Sequence, residues 1–282
     1  RLRWRSTRIR VPSLPSMGET VSIVDAPSAF TRRNLFVCID GEEKTGKTHL
    51  ALTITQPGFT TLIHDLNDGL DGVVQKRVRA IGDGKIKIAH HPIPDGQTVE
   101  KQRDKAKTEW SGFAQDFRDG MAKHRANIID SGTELYKLSR MSEFGDVKQT
   151  DRGKGQLDYD AVYSKIRGLM RLFHASKSHL IITHQVTEEW KNRKDPDTGK
   201  TKGYTTGRLV FDGFKEIPYM TQIGLRTKKV VDSSGLHFVA TLEVCRFDPQ
   251  LEGTEFSDGA DMFDLPTIMG FVTDTEREVW LK

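Results

Sequence analysis

Short apolar runs alternate with longer amphipathic segments along most of the chain. The runs predict buried strands at Asn34–Asp40, Thr60–Asp65, Lys85–His90, Ala126–Asp130 and His179–Thr183. Helix-like spacing of apolar residues predicts helices at His49–Thr55, Thr98–Lys123 and Tyr159–Ala175. Strands that alternate with helices favour a mostly parallel sheet covered on both faces, so we expect an α/β fold.

Two polar segments rich in Gly, Lys, Arg and Asp interrupt this alternation. They are Ser139–Asp158 and Thr187–Arg208, and the pattern predicts loops there. Parallel sheets place such loops at the carboxyl ends of their strands. Farther along, Tyr219–Leu225 and Leu236–Val244 flank a turn at Asp232–Gly235 and predict a C-terminal β-hairpin.

The composition is typical of a globular protein, with 36% hydrophobic and 29% charged residues among 282. Apolar stretches such as Leu180–Ile182 are much shorter than the about 20 residues that cross a bilayer, so no membrane partner is expected. Cys38 and Cys245 lie at no metal-ligand spacing. Two cysteines favour a reducing, cytoplasmic compartment, although one disulfide is compatible with them.

The net charge of +4 is concentrated at the beginning of the chain, because residues 1–16 hold five arginines and no acid. This N-terminal segment could bind phosphates, act as a transit peptide, or precede a true start at Met17. The rest of the chain is nearly neutral. No repeat or clear linker divides it, so we expect a core at 17–247 and a small appendage at 248–282.

The segment Gly41–Thr48 (GEEKTGKT) fits the pattern GxxxxGK[ST] at every fixed position, between a predicted strand and a predicted helix. Backbone N–H groups in such a loop surround phosphates, and the helix N-terminus adds positive potential. Lys47 would contact the β- and γ-phosphates, while the Thr48 hydroxyl would coordinate Mg²⁺. We therefore predict an ATP site formed by Gly41, Glu42, Glu43, Lys44, Thr45, Gly46, Lys47, Thr48 and His49.

A second acidic strand end is needed to hold the magnesium ion through its water shell. The run ANIID ends in Asp130, one long helix after the phosphate-binding loop (P-loop) at Gly41–Thr48 and the elements that adjoin it. Asp130 is therefore the best candidate. Asp40 also ends a strand, but it directly precedes the loop. The sequence therefore predicts Thr48 and Asp130 as the metal-site residues.

The order of P-loop, acidic second strand, Asp130, amphipathic helix and a strand that ends in Gln185 resembles the RecA-like P-loop NTPase core. Within it, the chain is similar to phage-type nucleotide-binding proteins of the single-strand annealing branch. The resemblance covers roughly residues 34–247, and the P-loop is its specific motif. It implies a catalytic or γ-phosphate-sensing role for Gln185 and single-stranded DNA contacts from two loops.

By position those loops are the two polar segments, and aromatic stacking there would contribute about 1–3 kcal/mol per base. The resulting DNA-binding candidates are Trp190, Lys191, Arg193, Lys194, Lys200, Lys202, Tyr204 and Arg208, with Arg152 and Lys154 in the first loop. An ordinary solvated loop is the alternative interpretation.

The chain departs from the family at the catalytic glutamate, because the natural alignment of IHDLNDGLDG places Asn67 there. Asn cannot act as a base, so Asp65 or Asp68 is expected to replace it, unless these acids only form a turn. His64 is expected to be a strand-end residue. The resemblance also implies a basic residue donated by a neighbouring subunit, for which Arg246 is favoured over Arg226, Lys228 and Lys229.

These features predict an ATP- and Mg²⁺-dependent ATPase that assembles as a ring or filament on single-stranded DNA and promotes annealing or strand exchange. A single-stranded-DNA-binding protein is a further candidate partner, and a phage origin would place the protein in bacterial cytoplasm. Two alternatives remain open. One is a DNA-binding protein with ATP as a structural ligand, and the other is a P-loop small-molecule kinase.

Overall fold

The P-loop strand lies inside a large mixed sheet in the computed structural model, which describes residues 34–281 except 71, 82–84, 96–97, 146–158, 195–200, 234 and 259–261. The strands are β1 (Phe36–Gly41), β2 (Thr60–Asp65), β3 (Lys85–His90), β4 (Ala126–Asp130), β5 (His179–Lys194), β6 (Thr201–Asp212), β7 (Ile223–Asp232), β8 (Gly235–Cys245) and β9 (Glu255–Ser257). The helices are α1 (Lys47–Leu52), α2 (Val73–Ile81), α3 (Val99–Lys123), α4 (Gly132–Phe144), α5 (Asp160–Ala175), α6 (Ile217–Met220) and α7 (Leu265–Thr273), with 3₁₀ turns at Pro249–Leu251 and Arg277–Leu281.

The strand order is β3-β2-β4-β5-β1-β7-β8-β9, and β6 pairs with β5 beside this path. Strands β3, β2, β4, β5, β1 and β7 run parallel, whereas the β5–β6, β7–β8 and β8–β9 pairs are antiparallel. The expected fold class, an α/β protein with a mostly parallel sheet flanked by helices and a C-terminal hairpin, is confirmed.

Successive residues of a strand point to opposite sides of the sheet, and each side is covered by a hydrophobic core. On β1, Val37 and Ile39 face a core with α1, α2 and α7, whereas Phe36 and Cys38 face a core with α3, α4 and α5. Burial of so many apolar side chains on two faces explains why the central strands read as continuous apolar runs.

The two predicted loops are corrected by the structure. Ser139–Phe144 belong to α4, because Leu135, Leu138 and Met141 recur at helical spacing and are buried; residues 146–158 lie outside the described part. The segment Thr187–Arg208 is a β-hairpin, since β5 continues to Lys194 and pairs with β6. Its backbone groups are satisfied by a ladder rather than by water.

Other boundaries moved less. Strands β2, β3 and β4 match their predictions, and α3 begins after Thr98, whose hydroxyl accepts a hydrogen bond from the Lys101 N–H at 3.3 Å. Tyr219 lies in α6 rather than in a strand, because Pro218 lacks the N–H that a strand ladder needs. The first strand of the C-terminal hairpin, β7, therefore begins at Ile223.

The predicted division into an N-terminal segment, a core and a C-terminal appendage stays a prediction. Asn34–Lys282 form one compact unit, and the C-terminal Phe263, Leu265 and Ile268 pack into the same core as β1. Residues 1–33 lie outside the described part. No helix in the described ranges is both long and apolar enough to span a bilayer.

Candidate nucleotide site

Six parallel strands bring most of the predicted site residues to one edge of the sheet, where β1, β2, β3 and β4 have their carboxyl ends. The strand register aligns Asp65 with His90 on β3 and with Asp130 on β4. Gly41, the first P-loop residue, is aligned with Gln185 on β5 and with Thr227 on β7. This edge is where open parallel sheets bind ligands.

The loop between β1 and α1 has the backbone conformation that its glycines permit. Gly46 has a φ of +88°, and a Cβ added at Gly41 would lie 2.5 Å from the Thr227 carbonyl oxygen. The Thr45 hydroxyl donates to the Glu42 carbonyl at 2.8 Å and lies 2.7 Å from the Thr227 hydroxyl. These contacts fix the loop against β7.

Lys47 occupies the first position of α1, and its ammonium group folds back over the loop. The Nζ atom donates to the carbonyl oxygen of Gly41 at 2.8 Å and also to that of Glu42. Burial lowers the pKa of Lys47, against the carboxylates of Asp130 and Asp40, which raise it. The cation therefore lies at the centre of the loop, where phosphate oxygens could replace its carbonyl partners.

The Thr48 hydroxyl donates to the Asp130 carboxylate at 2.7 Å, and the second Asp130 oxygen accepts a hydrogen bond from the Thr183 hydroxyl. Asp130 itself is 4% exposed. A hydroxyl and a carboxylate oxygen at contact distance are hard oxygen donors of the kind that Mg²⁺ prefers, so the residues present fit this ion. Thr183 was missed by the sequence analysis, because its place beside Asp130 depends on the register between β4 and β5.

Of the predicted replacements for the catalytic glutamate, Asp65 lies beside Asp130, and Asp68 lies beside His90. Asp65 is buried, and burial raises its pKa. The negative charge of the neighbouring Asp130 carboxylate also raises this pKa. Asp68 is exposed with a φ of +53°. Asn67 is exposed too, and its side-chain oxygen accepts the Gly69 N–H at 3.0 Å, as in a tight Asx turn.

His90 is a further residue that sequence reasoning missed. Its Nδ1 lies 3.4 Å from an Asp65 oxygen and 3.9 Å from an Asp68 oxygen. Its position at the end of a strand beside Asp65 was the available signal. By contrast, His64 is a fully buried strand residue that packs between Phe113 and Phe117, as expected for a structural side chain.

The candidates for a donated basic residue lie in different places. Arg246 follows β8, and its N–H bonds to the Gln222 carbonyl at the amino end of the sheet, opposite the P-loop edge. Arg226 is already paired with Asp40 and Glu243, and Lys228 is paired with Glu255. Lys229 is exposed on β7.

The hairpin formed by β5 and β6, here called the arm, separates its two aromatic residues onto opposite faces. Tyr204 is paired with Lys191, whereas Trp190 is paired with Thr205 and reaches over Gly203, where a Cβ would lie 3.4 Å from the indole. Arg193 shares the strand parity of Lys191. One face, here called the basic face, therefore carries Lys191, Arg193 and Tyr204, with Lys191 also in contact with Glu189 at 3.5 Å, and the opposite face carries Trp190.

The other DNA-binding candidates are not all part of that basic face. Arg208 lies at the base of the arm, beside a cavity that Asp40, Arg226 and Glu243 also line. Lys194 and Lys202 occupy strand positions near the tip, where Lys202 is aligned with Arg193. Arg152, Lys154 and Lys200 lie outside the described residues. A cleft of about 530 Å³ separates the arm base from P-loop residues Glu42 and Glu43.

Comparisons with known proteins give little further guidance. No protein-family model matches the chain, and no curated protein matches it. Among solved structures it is similar to the flagellar accessory protein FlaH from Methanocaldococcus jannaschii, with 14% identity over 79% of this chain and 84% of that one, at a TM-score of 0.41. It is also similar to the KaiC-like protein PH0186 from Pyrococcus horikoshii OT3, with 12% identity over 79% of this chain and 84% of that one, at a TM-score of 0.39. At these TM-scores neither likeness supports a functional argument.

Proposed function

We propose that this protein is a RecA-like, Mg²⁺-dependent ATPase that assembles on single-stranded DNA. The observation that carries the proposal is the 2.7 Å bond between Thr48 of the P-loop and Asp130 at the end of β4. Strand β5 lies between β4, which ends in Asp130, and β1, which leads into the P-loop, and Gln185 of β5 is aligned with Gly41. A P-loop, a metal-holding acid and a polar residue on the strand between them are the parts that ATP hydrolysis requires.

In the proposed mechanism Lys47 leaves the Gly41 and Glu42 carbonyl groups and binds the β- and γ-phosphate oxygens. Thr48 and Asp130 hold the metal ion, which when bound would neutralise charge on the phosphates. Buried Asp65 accepts a proton from the attacking water, in place of the glutamate that Asn67 replaces. Gln185 contacts the γ-phosphate and distinguishes ATP from ADP.

Nucleotide binding is tested first by titrating ATP with Mg²⁺ into the protein and into a Lys47→Ala variant. We expect the variant to lose measurable binding, because no other cation occupies the centre of the loop among the described residues. Lys177→Ala is the control, since Lys177 is exposed in the turn before β5. Unchanged affinity in Lys47→Ala would refute the site.

The DNA-binding part of the proposal is supported by the arm, whose basic face combines Lys191, Arg193 and Tyr204. Cations contact the phosphates of a single strand and an aromatic ring stacks on its bases. The arm extends from Gln185 and Asp212 at the P-loop edge, and its basic face begins about 20 Å farther along β5, at about 3.3 Å per residue. Assembly into a ring or filament, annealing, strand exchange and a subunit-donated Arg246 are proposals that rest on the family resemblance.

Steady-state ATP turnover with and without single-stranded DNA of several lengths, combined with particle images, separates the alternatives. We expect turnover that DNA stimulates and particles that grow with DNA length. Tight ATP binding without turnover would favour ATP as a structural ligand. Phosphate transfer to a small acceptor without any DNA effect would favour a kinase.

A further inference from the structure

The base of the arm is joined to the start of α4 by one side chain, that of Thr133. Its hydroxyl donates a hydrogen bond to the Asp212 carbonyl on β6 at 2.7 Å and accepts one from the Gln185 N–H on β5 at 3.0 Å. Helix α4 begins two residues after Asp130. A single hydroxyl thus bridges both arm strands to the segment that carries the proposed metal-holding acid.

The contacts around this hydroxyl leave little room for independent movement. His184 packs on Phe211, with ring centroids 4.0 Å apart, and a Cβ at Gly132 would lie 2.2 Å from the His184 ring. His184 is 1% exposed. Closely packed groups transmit displacements rather than absorb them, so a shift of Gly132 would displace the side chains of His184 and Phe211.

Helix capping does not account for the position of Thr133. The capping side chain of α4 is Ser131, whose hydroxyl accepts the Glu134 N–H at 3.4 Å. The Thr133 hydroxyl instead points out of the helix to a strand 79 residues away. Its two partners both belong to the arm, so its bonds serve the connection between helix and arm.

We propose that Thr133 is a positioning residue that couples the nucleotide site to the arm: binding at Thr48 and Asp130 shifts the start of α4, and the Thr133 hydroxyl passes that shift to Gln185 and Asp212. The inference rests on the proposed function for its input, which is ATP bound at the P-loop. Coupling of this kind requires that the two states differ in contacts at both ends, and the double hydrogen bond supplies the arm end.

The test compares backbone hydrogen exchange of residues 186–194 and 201–212 with and without Mg²⁺ and a slowly hydrolysed ATP analogue. Thr133→Val keeps the side-chain shape but removes both hydrogen bonds, and Thr133→Ser restores the hydroxyl. Thr254→Val is the matched control, because it removes a similar 2.7 Å bond to the Leu251 carbonyl near β9. Thermal unfolding and analogue affinity are measured for every variant, so that misfolding is recognised.

We expect the analogue to slow arm exchange at least about fivefold in the original protein, in Thr133→Ser and in Thr254→Val, but hardly at all in Thr133→Val. Analogue affinity in Thr133→Val should stay within about threefold, because the hydroxyl bonds to the backbone N–H of Gln185 and not to the side chain proposed to contact the γ-phosphate. The inference is overturned if Thr133→Val responds normally, if Thr133→Ser fails to rescue, or if the original protein binds the analogue without an arm response. An original protein that does not bind the analogue would overturn the proposed function and this coupling together.

Discussion

The guanidinium of Arg226 forms two parallel hydrogen bonds with the Asp40 carboxylate, at 2.8 and 2.9 Å. Asp40 is the last residue before the P-loop glycine Gly41, and its side chain is 13% exposed. Arg226 also contacts Glu243 at 3.1 Å. The pair therefore locks β7 to β1 beside the loop, and Arg226 is committed within its own chain rather than available to a neighbouring site.

Removing this lock should destabilise the fold. We expect Arg226→Ala to lower the free energy of unfolding by about 1–3 kcal/mol, because it leaves the Asp40 carboxylate half-desolvated without its partner. Urea denaturation measures the change. Arg167→Ala is the control, since Arg167 has the same two-bond geometry with Glu216 at an exposed site and should cost much less. Equal losses in both variants would show that burial of Asp40 does not matter.

Asp65 is expected to be the base of ATP hydrolysis. Asp65→Asn should lower kcat about 100-fold or more and leave ATP affinity nearly unchanged, because the carboxylate acts on water rather than on the phosphates. Asp68→Asn, at an exposed position three residues on, should have a much smaller effect. Steady-state turnover and nucleotide titration measure the two quantities. Wild-type kcat in Asp65→Asn would exclude this role.

The two faces of the arm should respond differently to mutation. Tyr204→Ala should weaken single-stranded DNA binding by about 1–3 kcal/mol, and Arg193→Ala should reduce the salt dependence by about 0.7 in the log–log slope. Trp190→Ala removes an aromatic group from the opposite face and should change affinity far less. Binding isotherms at several salt concentrations test this. A larger loss for Trp190→Ala than for Tyr204→Ala would reverse the assignment of the DNA face.

Stability should fall on acidification because buried histidines are neutral in the folded protein. Burial, with a smaller contribution from the neighbouring His91, lowers the pKa of His64 to about 3. The unfolded chain takes up a proton below its ordinary pKa near 6.5, whereas the folded chain does not. Stability from His64 is thus complete above about pH 6.5 and decreases toward pH 3, by about 2 kcal/mol at pH 5.

The pH dependence is measured by urea denaturation at pH 7 and pH 5. His64→Leu should lose less stability between the two pH values than the original protein does. His174→Gln, at an exposed position, should lose as much stability as the original protein. His184 and His179, whose pKa values burial lowers to about 3 and about 4, supply part of the remaining slope. An unchanged slope in His64→Leu would contradict the assignment.

The local parts of the fold could be predicted from the sequence, and the contacts between distant segments could not. The apolar runs at Ile63 and Ile128 identify their strands because burial on two faces leaves few polar positions. The polar Thr187–Arg208 segment resembles a loop, since an exposed two-stranded arm needs no apolar face. Helix α2 was missed because three of its nine residues are valines, which form helices less readily, and three others are basic.

The candidate site follows the same division. The P-loop spacing predicted Lys47 and Thr48, and strand order predicted Asp130. The Thr183 bond to Asp130, the approach of His90 to Asp65 and the pairing of Arg226 with Asp40 each depend on strand register, which sequence spacing leaves open. The position of Arg246 at the amino edge is also a matter of register.

The exposure of Trp190 gives the protein an internal optical reporter. Its side chain is 67% exposed, whereas Trp110 and Trp280, the other tryptophans in the described ranges, are 8% and 9% exposed. A soluble quencher such as iodide should therefore reach the indole on the arm long before it reaches those two. Among the tryptophans of the described ranges, the emission that iodide quenches can thus follow the arm in solution without any attached dye.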